Sequence, residues 1–140
     1  MAADATSAAH GMFAADVASR ALGIELVEAT GGHATVRVEV GPAMVNGHGI
    51  AHGGYLFLLA DTAFACACNS HGPAAVAASA EIDFVAPARL GDTLVAVATE
   101  RARFGRSGIY DVTVVREGGS ERALIAEFRG RSCVVRGGEP

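Results

Sequence analysis

The stretch NGHGIAHGGYLFLLADTAFACACNS, from Asn46 to Ser70, joins a glycine-rich loop to an apolar run that contains one carboxylate, Asp61. From about His52 to His71 the residues are good helix formers without proline, and the Gly-Pro pair that follows is typical of a helix end. Because this helix is apolar on almost every side, we expect other structure to bury it on every side. The sequence therefore predicts a long central helix with an acid inside it.

Segments with alternating apolar and polar residues flank the helix. IELVEAT and HATVRVEV lie on either side of Gly31-Gly32, which is the pattern of a β-hairpin. AAVAASAEIDFVAP, GDTLVAVATERARFG, GIYDVTVVRE and RALIAEFRGRSCVV follow as predicted strands, with a second hairpin signal at Gly118-Gly119. Since their connections are short, we expect these later strands to be neighbours and antiparallel. The order predicts an α+β architecture, with a curved antiparallel sheet wrapped around the long helix.

The length of 140 residues suits one domain with one core, so residues 1–140 are predicted to form a single domain. Residues 1–23 are an N-terminal extension, with a short helix expected between His10 and Gly23. Hydrophobic residues make up 51% of the chain, more than we expect one small domain to bury. Subunit contacts are therefore expected.

Composition also narrows the class of partner. The net charge is −4 and no basic stripe is present, so we expect no nucleic acid partner. The sequence contains neither a secretory signal nor an apolar run of bilayer length, and a cytoplasmic protein without a membrane partner is expected. The cysteines, at 66, 68 and 133, are predicted to be reduced thiols. We expect no bound metal, because the sequence has no cluster of metal-binding residues at a suitable spacing.

Asp61 is unusual because no lysine or arginine lies within four residues of it in the sequence. An ionised carboxylate is rarely buried without a partner. Either Asp61 pairs with a distant group for structural reasons, or it belongs to a functional site.

His52-Gly53-Gly54 stands at the start of the same helix. The first N–H groups of a helix lack internal acceptors and carry the positive end of its dipole. Glycine lets a ligand oxygen approach them closely, which would make an oxyanion hole from backbone alone. The glycines could equally serve close packing at the helix entry.

The spacing of Gly53 and Asp61 adds a geometric constraint. Eight residues of helix span roughly 12 Å, so one carbonyl group cannot contact both. If both act on one carbonyl, they must come from different subunits. Two antiparallel copies of the helix, related by a two-fold axis, would bring Gly53 of each near Asp61 of the other.

Together with IDFVAP, GDTL and GIYDVTV, the opening stretch strongly resembles the hotdog-fold acyl-CoA thioesterases, above all the PaaI type of bacterial phenylacetate catabolism. The resemblance covers roughly residues 24–137. It implies a hotdog fold and hydrolysis of an acyl-CoA, with CoA as part of the substrate and no separate cofactor. It also implies a homo-oligomer, a dimer at least and a tetramer by analogy with relatives.

The resemblance implies roles for five residues. Asp61 matches the catalytic carboxylate, as general base or as nucleophile, and the Gly53 N–H matches the donor that polarises the thioester carbonyl. Asn46 matches a residue that orders this carbonyl, and His52 matches one near the thioester sulfur. Ser79 resembles a hydroxyl that helps the carboxylate hold water.

Further residues are candidates for binding CoA. Gly54 is a candidate as the second glycine of the pair at the helix start, and Arg89, Arg103 and Arg106 lie near strand ends from which they could reach the phosphates. Each arginine could also be an ordinary solvated residue.

Three functions are compatible with the residues. The first is hydrolysis of an arylacetyl-type CoA thioester. The sequence has no G-x-S-x-G motif, so a serine nucleophile of that kind is not expected. The second is a hotdog 3-hydroxyacyl dehydratase. The third is a non-catalytic acyl-CoA-binding module, which would not need Asp61. The position of Asp61 and the paired glycines favour the thioesterase.

Overall fold

A six-stranded antiparallel sheet wraps around one long helix, as predicted for a hotdog fold. The computed structural model describes residues 5–118 and 122–135, so the predicted turn at Gly118-Gly119 lies partly outside the described residues. In chain order, the elements are α1 (Ala5–Ala14), α2 (Val17–Ala21), β1 (Glu25–Thr30), β2 (His33–Glu39), a 3₁₀ turn (Pro42–Met44), α3 (Gly53–Cys68), β3 (Ala75–Phe84), β4 (Thr93–Phe104), β5 (Ser107–Glu117) and β6 (Ala123–Val134).

The strand order is β1-β2-β4-β5-β6-β3, which confirms that β4, β5 and β6 are antiparallel neighbours. The expectation that β3 and β4 are also neighbours is wrong, because β3 pairs with β6 at the edge of the sheet. Residues 85–92 carry the chain across the sheet end: Val85 N–H donates to the Ile125 carbonyl, and Gly91 N–H donates to the Val40 carbonyl. The β3 edge is therefore left open for another strand.

The β1–β2 hairpin forms where the sequence predicts it. Gly31 and Gly32 have φ angles of 57° and 86°, as a two-residue hairpin turn with two left-handed residues requires. The Gly32 N–H also donates to Ser70 Oγ at 2.8 Å, which ties the hairpin to the end of α3.

Helix α3 is shorter at its C-terminal end than the predicted range to His71. Asn69 ends it, because the Asn69 side chain accepts from the Ala75 N–H at 2.9 Å and donates to the Ala75 carbonyl at 3.0 Å. These two bonds turn the chain directly into β3. No helix among residues 5–118 and 122–135 is long and apolar enough to cross a bilayer.

One side of α3 is left partly exposed by the described part of the chain. Phe57, Leu58, Asp61 and Ala65 recur every three or four residues and are each partly exposed; we call these four residues the open strip. The expectation that α3 is buried on all sides is therefore wrong for a single chain. The remaining faces pack on the sheet and bury Leu56, Leu59, Ala60, Thr62, Ala63, Phe64, Cys66, Ala67 and Cys68.

The N-terminal segment forms two helices, where the sequence predicted one between His10 and Gly23. Asp16 breaks the run, because its carboxylate accepts from the Ser19 N–H at 2.9 Å and so caps a new helix, α2. The Ser19 hydroxyl in turn contacts Thr62, which places α2 against α3, close to the open strip.

Candidate active site

The Asp61 carboxylate lies on the open strip and is half-buried. It makes no hydrogen bond and no ion pair with the residues that the structure describes. Burial raises the pKa of Asp61, and the negative charge of Asp16 raises it further. The site therefore contains a partly desolvated carboxylate without a cation, which is a suitable general base.

The start of α3 leaves one backbone donor unengaged. His52 is the N-cap, with φ −62° and ψ 136°, and its Nδ1 accepts from the Gly54 N–H at 3.0 Å. Gly53 is the first helical residue, and its N–H donates to no group among the described residues. In this arrangement Gly54, which has no side chain, leaves room for a ligand to approach, while the Gly53 N–H can donate a hydrogen bond to it.

Asn46 holds the loop that precedes the helix. Its Oδ1 accepts from the His48 N–H at 2.9 Å and from the Ile50 N–H at 3.3 Å. Its side-chain NH₂ group has no partner among the described residues, so this group is available to donate to a bound carbonyl.

A cavity of about 440 Å³ opens beside Asn46 and Gly53. The Phe84 ring lies over the glycine: a Cβ added at Gly53 would be 3.0 Å from Phe84 Cζ. The cavity is otherwise apolar, with Leu56, Val85, Ala86 and Pro87 among its lining residues. It combines an apolar pocket with two polar donors at one side, the usual composition of a small-molecule site.

The structure does not bring all predicted site residues together in one chain. Asn46, His52 and Gly53 cluster at the start of α3, whereas Asp61 lies roughly 12 Å further along the helix. Ser79 is exposed on β3 opposite Arg131, and it lines a shallow cavity with arginines of β6 rather than a surface near Asp61.

The three candidate arginines lie at two ends of the molecule. Arg89 is in the 85–92 segment and pairs through its backbone with Ile50, next to the Gly53 cavity. Arg103 and Arg106 line a second cavity, of about 350 Å³, at the other end of α3, beside Cys68.

The second cavity contains a cluster that sequence reasoning missed. His71 Nε2 lies 2.7 Å from Glu100 Oε1, Tyr110 OH donates to the same oxygen at 2.9 Å, and Arg103 Nε lies 3.4 Å from it. Burial acts to raise the pKa of Glu100, but these hydrogen bonds and positive charges outweigh it and lower the pKa. The residues of this cluster come from the turn after α3, from β4 and from β5, so no local sequence motif could reveal the cluster.

Phe84 was also missed as a site residue, although it stands in the IDFVAP segment. Its local signal is weak, because an aromatic residue in a strand is usually core. No group of three or more metal-binding side chains occurs within the described part of the chain.

The thioesterase superfamily model matches residues 48–123, and the chain belongs to that family. The expected enzyme class, a thioesterase, is thereby confirmed. The chain is 45% identical to acyl-coenzyme A thioesterase PaaI of Escherichia coli (strain K12), over 92% of this chain and 90% of the relative. It is 42% identical to a putative esterase of Deinococcus radiodurans, over 78% of this chain and 73% of that protein.

Solved structures confirm the hotdog fold. The E. coli PaaI protein from the phenylacetic acid degradation operon superposes with a TM-score of 0.89 at 44% identity, covering 94% of each chain. A mutant of the phenylacetic acid degradation protein PaaI from Thermus thermophilus has a TM-score of 0.79 at 39% identity, covering 86% of this chain and all of that one. A Streptococcus mutans protein bound to acetyl CoA has a TM-score of 0.75 at 28% identity, covering 80% and 88%.

Proposed function

We propose that this thioesterase hydrolyses arylacetyl-CoA thioesters, such as phenylacetyl-CoA or hydroxyphenylacetyl-CoA, to the free acid and CoA. One observation carries the proposal: among the residues that the structure describes, the half-buried Asp61 carboxylate of α3 has no partner, and the Gly53 N–H at the start of the helix is unengaged. A base and an oxyanion donor are sufficient for thioester hydrolysis, because a thiolate is a good leaving group.

In the proposed reaction, the thioester oxygen accepts from the Gly53 N–H, and the Asn46 NH₂ group orients the same carbonyl. The partner subunit's Asp61 takes a proton from water, and the resulting hydroxide forms a C–O bond at the carbonyl carbon. The Gly53 N–H stabilises the tetrahedral oxyanion. Collapse breaks the C–S bond, and the CoA thiolate receives the proton from the partner's Asp61.

Two surfaces support a dimer as the active unit. The open strip exposes Phe57, Leu58 and Ala65 beside Asp61, and β3 offers an unpaired sheet edge next to it. If two α3 helices pair antiparallel around Phe57, each Gly53 faces the partner's Asp61, since 57 is the midpoint of 53 and 61. A tetramer of two such dimers remains a proposal from the family resemblance.

The same pairing suggests where the CoA phosphates bind. It places the C-terminal end of the partner's α3 beyond Gly53, on the side where the preceding loop lies. The second cavity, with Arg103 and Arg106, would then adjoin the Gly53 cavity of the other subunit. Arg89 offers a phosphate contact from the same subunit as Gly53. CoA enters as substrate, and the proposed chemistry uses no cofactor or metal.

The preference for an aryl group rests on the Gly53 cavity and on the relatives. Phe84 is 55% exposed and lies against Gly53, so an aromatic ring of the substrate can stack beside the reacting carbonyl. The named relatives with 39–45% identity include an acyl-CoA thioesterase and phenylacetic acid degradation proteins.

The test follows thiol release with a thiol-reactive dye, using phenylacetyl-, hydroxyphenylacetyl- and long-chain acyl-CoA. We expect the highest kcat/KM for the two aryl substrates, and a loss of at least about 100-fold in Asp61→Ala and Asp61→Asn. A preference for the long-chain substrate would contradict the aryl assignment. Tight binding of every acyl-CoA without thiol release would favour the binding module, and water addition to an enoyl-CoA would favour the dehydratase.

A further inference from the structure

A chain of polar side chains links the N-terminal segment to the middle of α3. The Ser19 hydroxyl is fully buried and donates to Asp16 Oδ2 at 2.7 Å. The same hydroxyl oxygen lies 2.8 Å from Thr62 Oγ1. Since an unpaired buried hydroxyl is costly, these contacts fix α2 on α3 in one position.

The row of hydrogen-bonded side chains from Asp16 through Ser19 to Thr62 ends at the turn of α3 that carries the proposed base. Thr62 Oγ1 also lies 2.8 Å from the Leu58 carbonyl. Because the Ser19 proton goes to Asp16, the single Thr62 proton serves both the Ser19 oxygen and this carbonyl, and Thr62 links α2 to the turn from residue 58 to residue 62. Asp61 lies within this turn, next to Thr62. A shift of α2 would therefore be transmitted to the Asp61 backbone through two hydroxyl groups.

We propose that Asp16 is a positioning residue for the reaction at Asp61, acting through its negative charge and through the Ser19–Thr62 hydroxyl pair. The inference rests on the proposed function of Asp61 as the base. It makes the N-terminal segment part of the working site, although no residue before 46 was assigned a role there.

The charges around α3 support this geometry. Among the described residues, Asp16 is the one charged group that shifts the pKa of Asp61. Burial and Asp16 together raise the pKa of Cys66 to about 12, and burial and Asp61 raise that of Cys68 to about 12. Both carboxylates therefore act on the C-terminal half of α3.

Two variants separate the charge from the hydroxyl chain. Asp16→Asn removes the charge but can keep the cap, because Asn Oδ1 accepts from the Ser19 N–H and its NH₂ donates to Ser19 Oγ. Ser19→Ala keeps the charge and removes the link to Thr62. Glu39→Gln, which removes an exposed charge on β2, is the matched control.

The measurements are the ¹³C carboxyl titration of Asp61 and the pH dependence of kcat/KM for phenylacetyl-CoA, with light scattering to confirm an unchanged oligomer. Asp16→Asn should lower the titration midpoint of Asp61 and move the acidic limb of the rate profile to lower pH, because a like charge has been removed. Ser19→Ala should lower kcat without moving that limb. Glu39→Gln should change neither.

An unchanged Asp61 midpoint in Asp16→Asn would overturn the inference, whatever its effect on kcat. Failure of the proposed function would look different: Asp61→Asn would keep wild-type thiol release. Even then, the carboxyl titration would decide whether Asp16 controls Asp61.

Discussion

The Asp61 carboxylate has neither a cation nor a hydrogen-bond donor to stabilise its charge among the described residues, and solvent reaches part of it. Its ionised form is therefore less stable in the folded chain than in the unfolded one. If Asp61 is the base, as proposed, it serves the reaction at some expense to stability, a relationship that is common at active sites.

The first prediction follows from the raised pKa of Asp61. Between the ordinary value of 3.8 and the raised folded value, the folded state binds more protons than the unfolded state, so stability falls as pH rises through this window. Asp61→Asn, which does not titrate, should therefore be more stable than the wild type at pH 7. We expect a gain of about 0.5 kcal/mol or less, because the side chain is partly solvated.

Urea unfolding of the two proteins at pH 7 and below pH 3.8 measures this difference. The gain should be present at pH 7 and should vanish at the acidic pH. A wild type that is more stable than Asp61→Asn at pH 7 would show that the carboxylate has a stabilising partner.

At the scale of elements, the start of α3 determines which backbone donor is free. The His52 ring takes the Gly54 N–H and leaves the Gly53 N–H to a ligand. Histidine is not among the strongly preferred N-cap residues, so the cap is a specific feature of this helix.

The second prediction concerns this cap. His52→Ala should lower the free energy of unfolding by about 1 kcal/mol, because the Gly54 N–H loses its acceptor. His52→Asn should recover most of that loss, since asparagine is a good cap. Denaturant midpoints for the three proteins provide the measurement, and equal midpoints for alanine and wild type would exclude a capping role.

Local pattern was sufficient to predict several elements and to select Asp61 as a candidate site residue. Asp61 was evident as an acid in an apolar helix, and the Gly31-Gly32 turn forms as its glycines require. The order of β4, β5 and β6 was predictable from their short connections, but the edge position of β3 was not, because it depends on contacts such as Val85 with Ile125, which are far apart in sequence. The Glu100 cluster was missed for the same reason, since His71 lies 29 residues from Glu100.

At the scale of the whole molecule, the two groups of the proposed site lie apart in one chain. Gly53 and Asp61 lie on one rigid helix, so no loop movement within the chain can bring them to one carbonyl. The open strip and the β3 edge are the surfaces on which a second copy would complete the site.

The third prediction tests β3 as the contact surface. Ala80, near the middle of β3, is exposed and lies opposite Gly130, where an added Cβ would meet Phe64 of α3; it therefore faces the helix side of the sheet. Ala80→Lys should shift the protein toward monomer, because the two-fold axis would bring two ammonium groups together.

Val27→Lys, on the opposite edge strand β1 and also exposed, is the control for added charge. Light scattering across a dilution series reports the mass of each protein. Dissociation of Val27→Lys, with Ala80→Lys intact, would place the interface on the other edge of the sheet.

In the proposed enzyme, each site combines Gly53 of one subunit with the partner's Asp61. Two variants, each lacking one of these groups, can test this arrangement. Gly53→Pro removes the N–H at the first helical position, where proline is favoured, and the extended His52 backbone suits a residue before proline. Gly53→Ala is its control, because it adds the same Cβ near Phe84 but keeps the N–H.

The decisive measurement is thiol release by a subunit-exchanged 1:1 mixture of Asp61→Asn and Gly53→Pro. Each variant alone should lose at least about 100-fold in kcat/KM. In the mixture, half of randomly formed dimers contain both variants and one intact site of two, so about a quarter of the wild-type activity should return. A mixture that stays as inactive as its components would contradict a site shared between Gly53 of one subunit and the partner's Asp61.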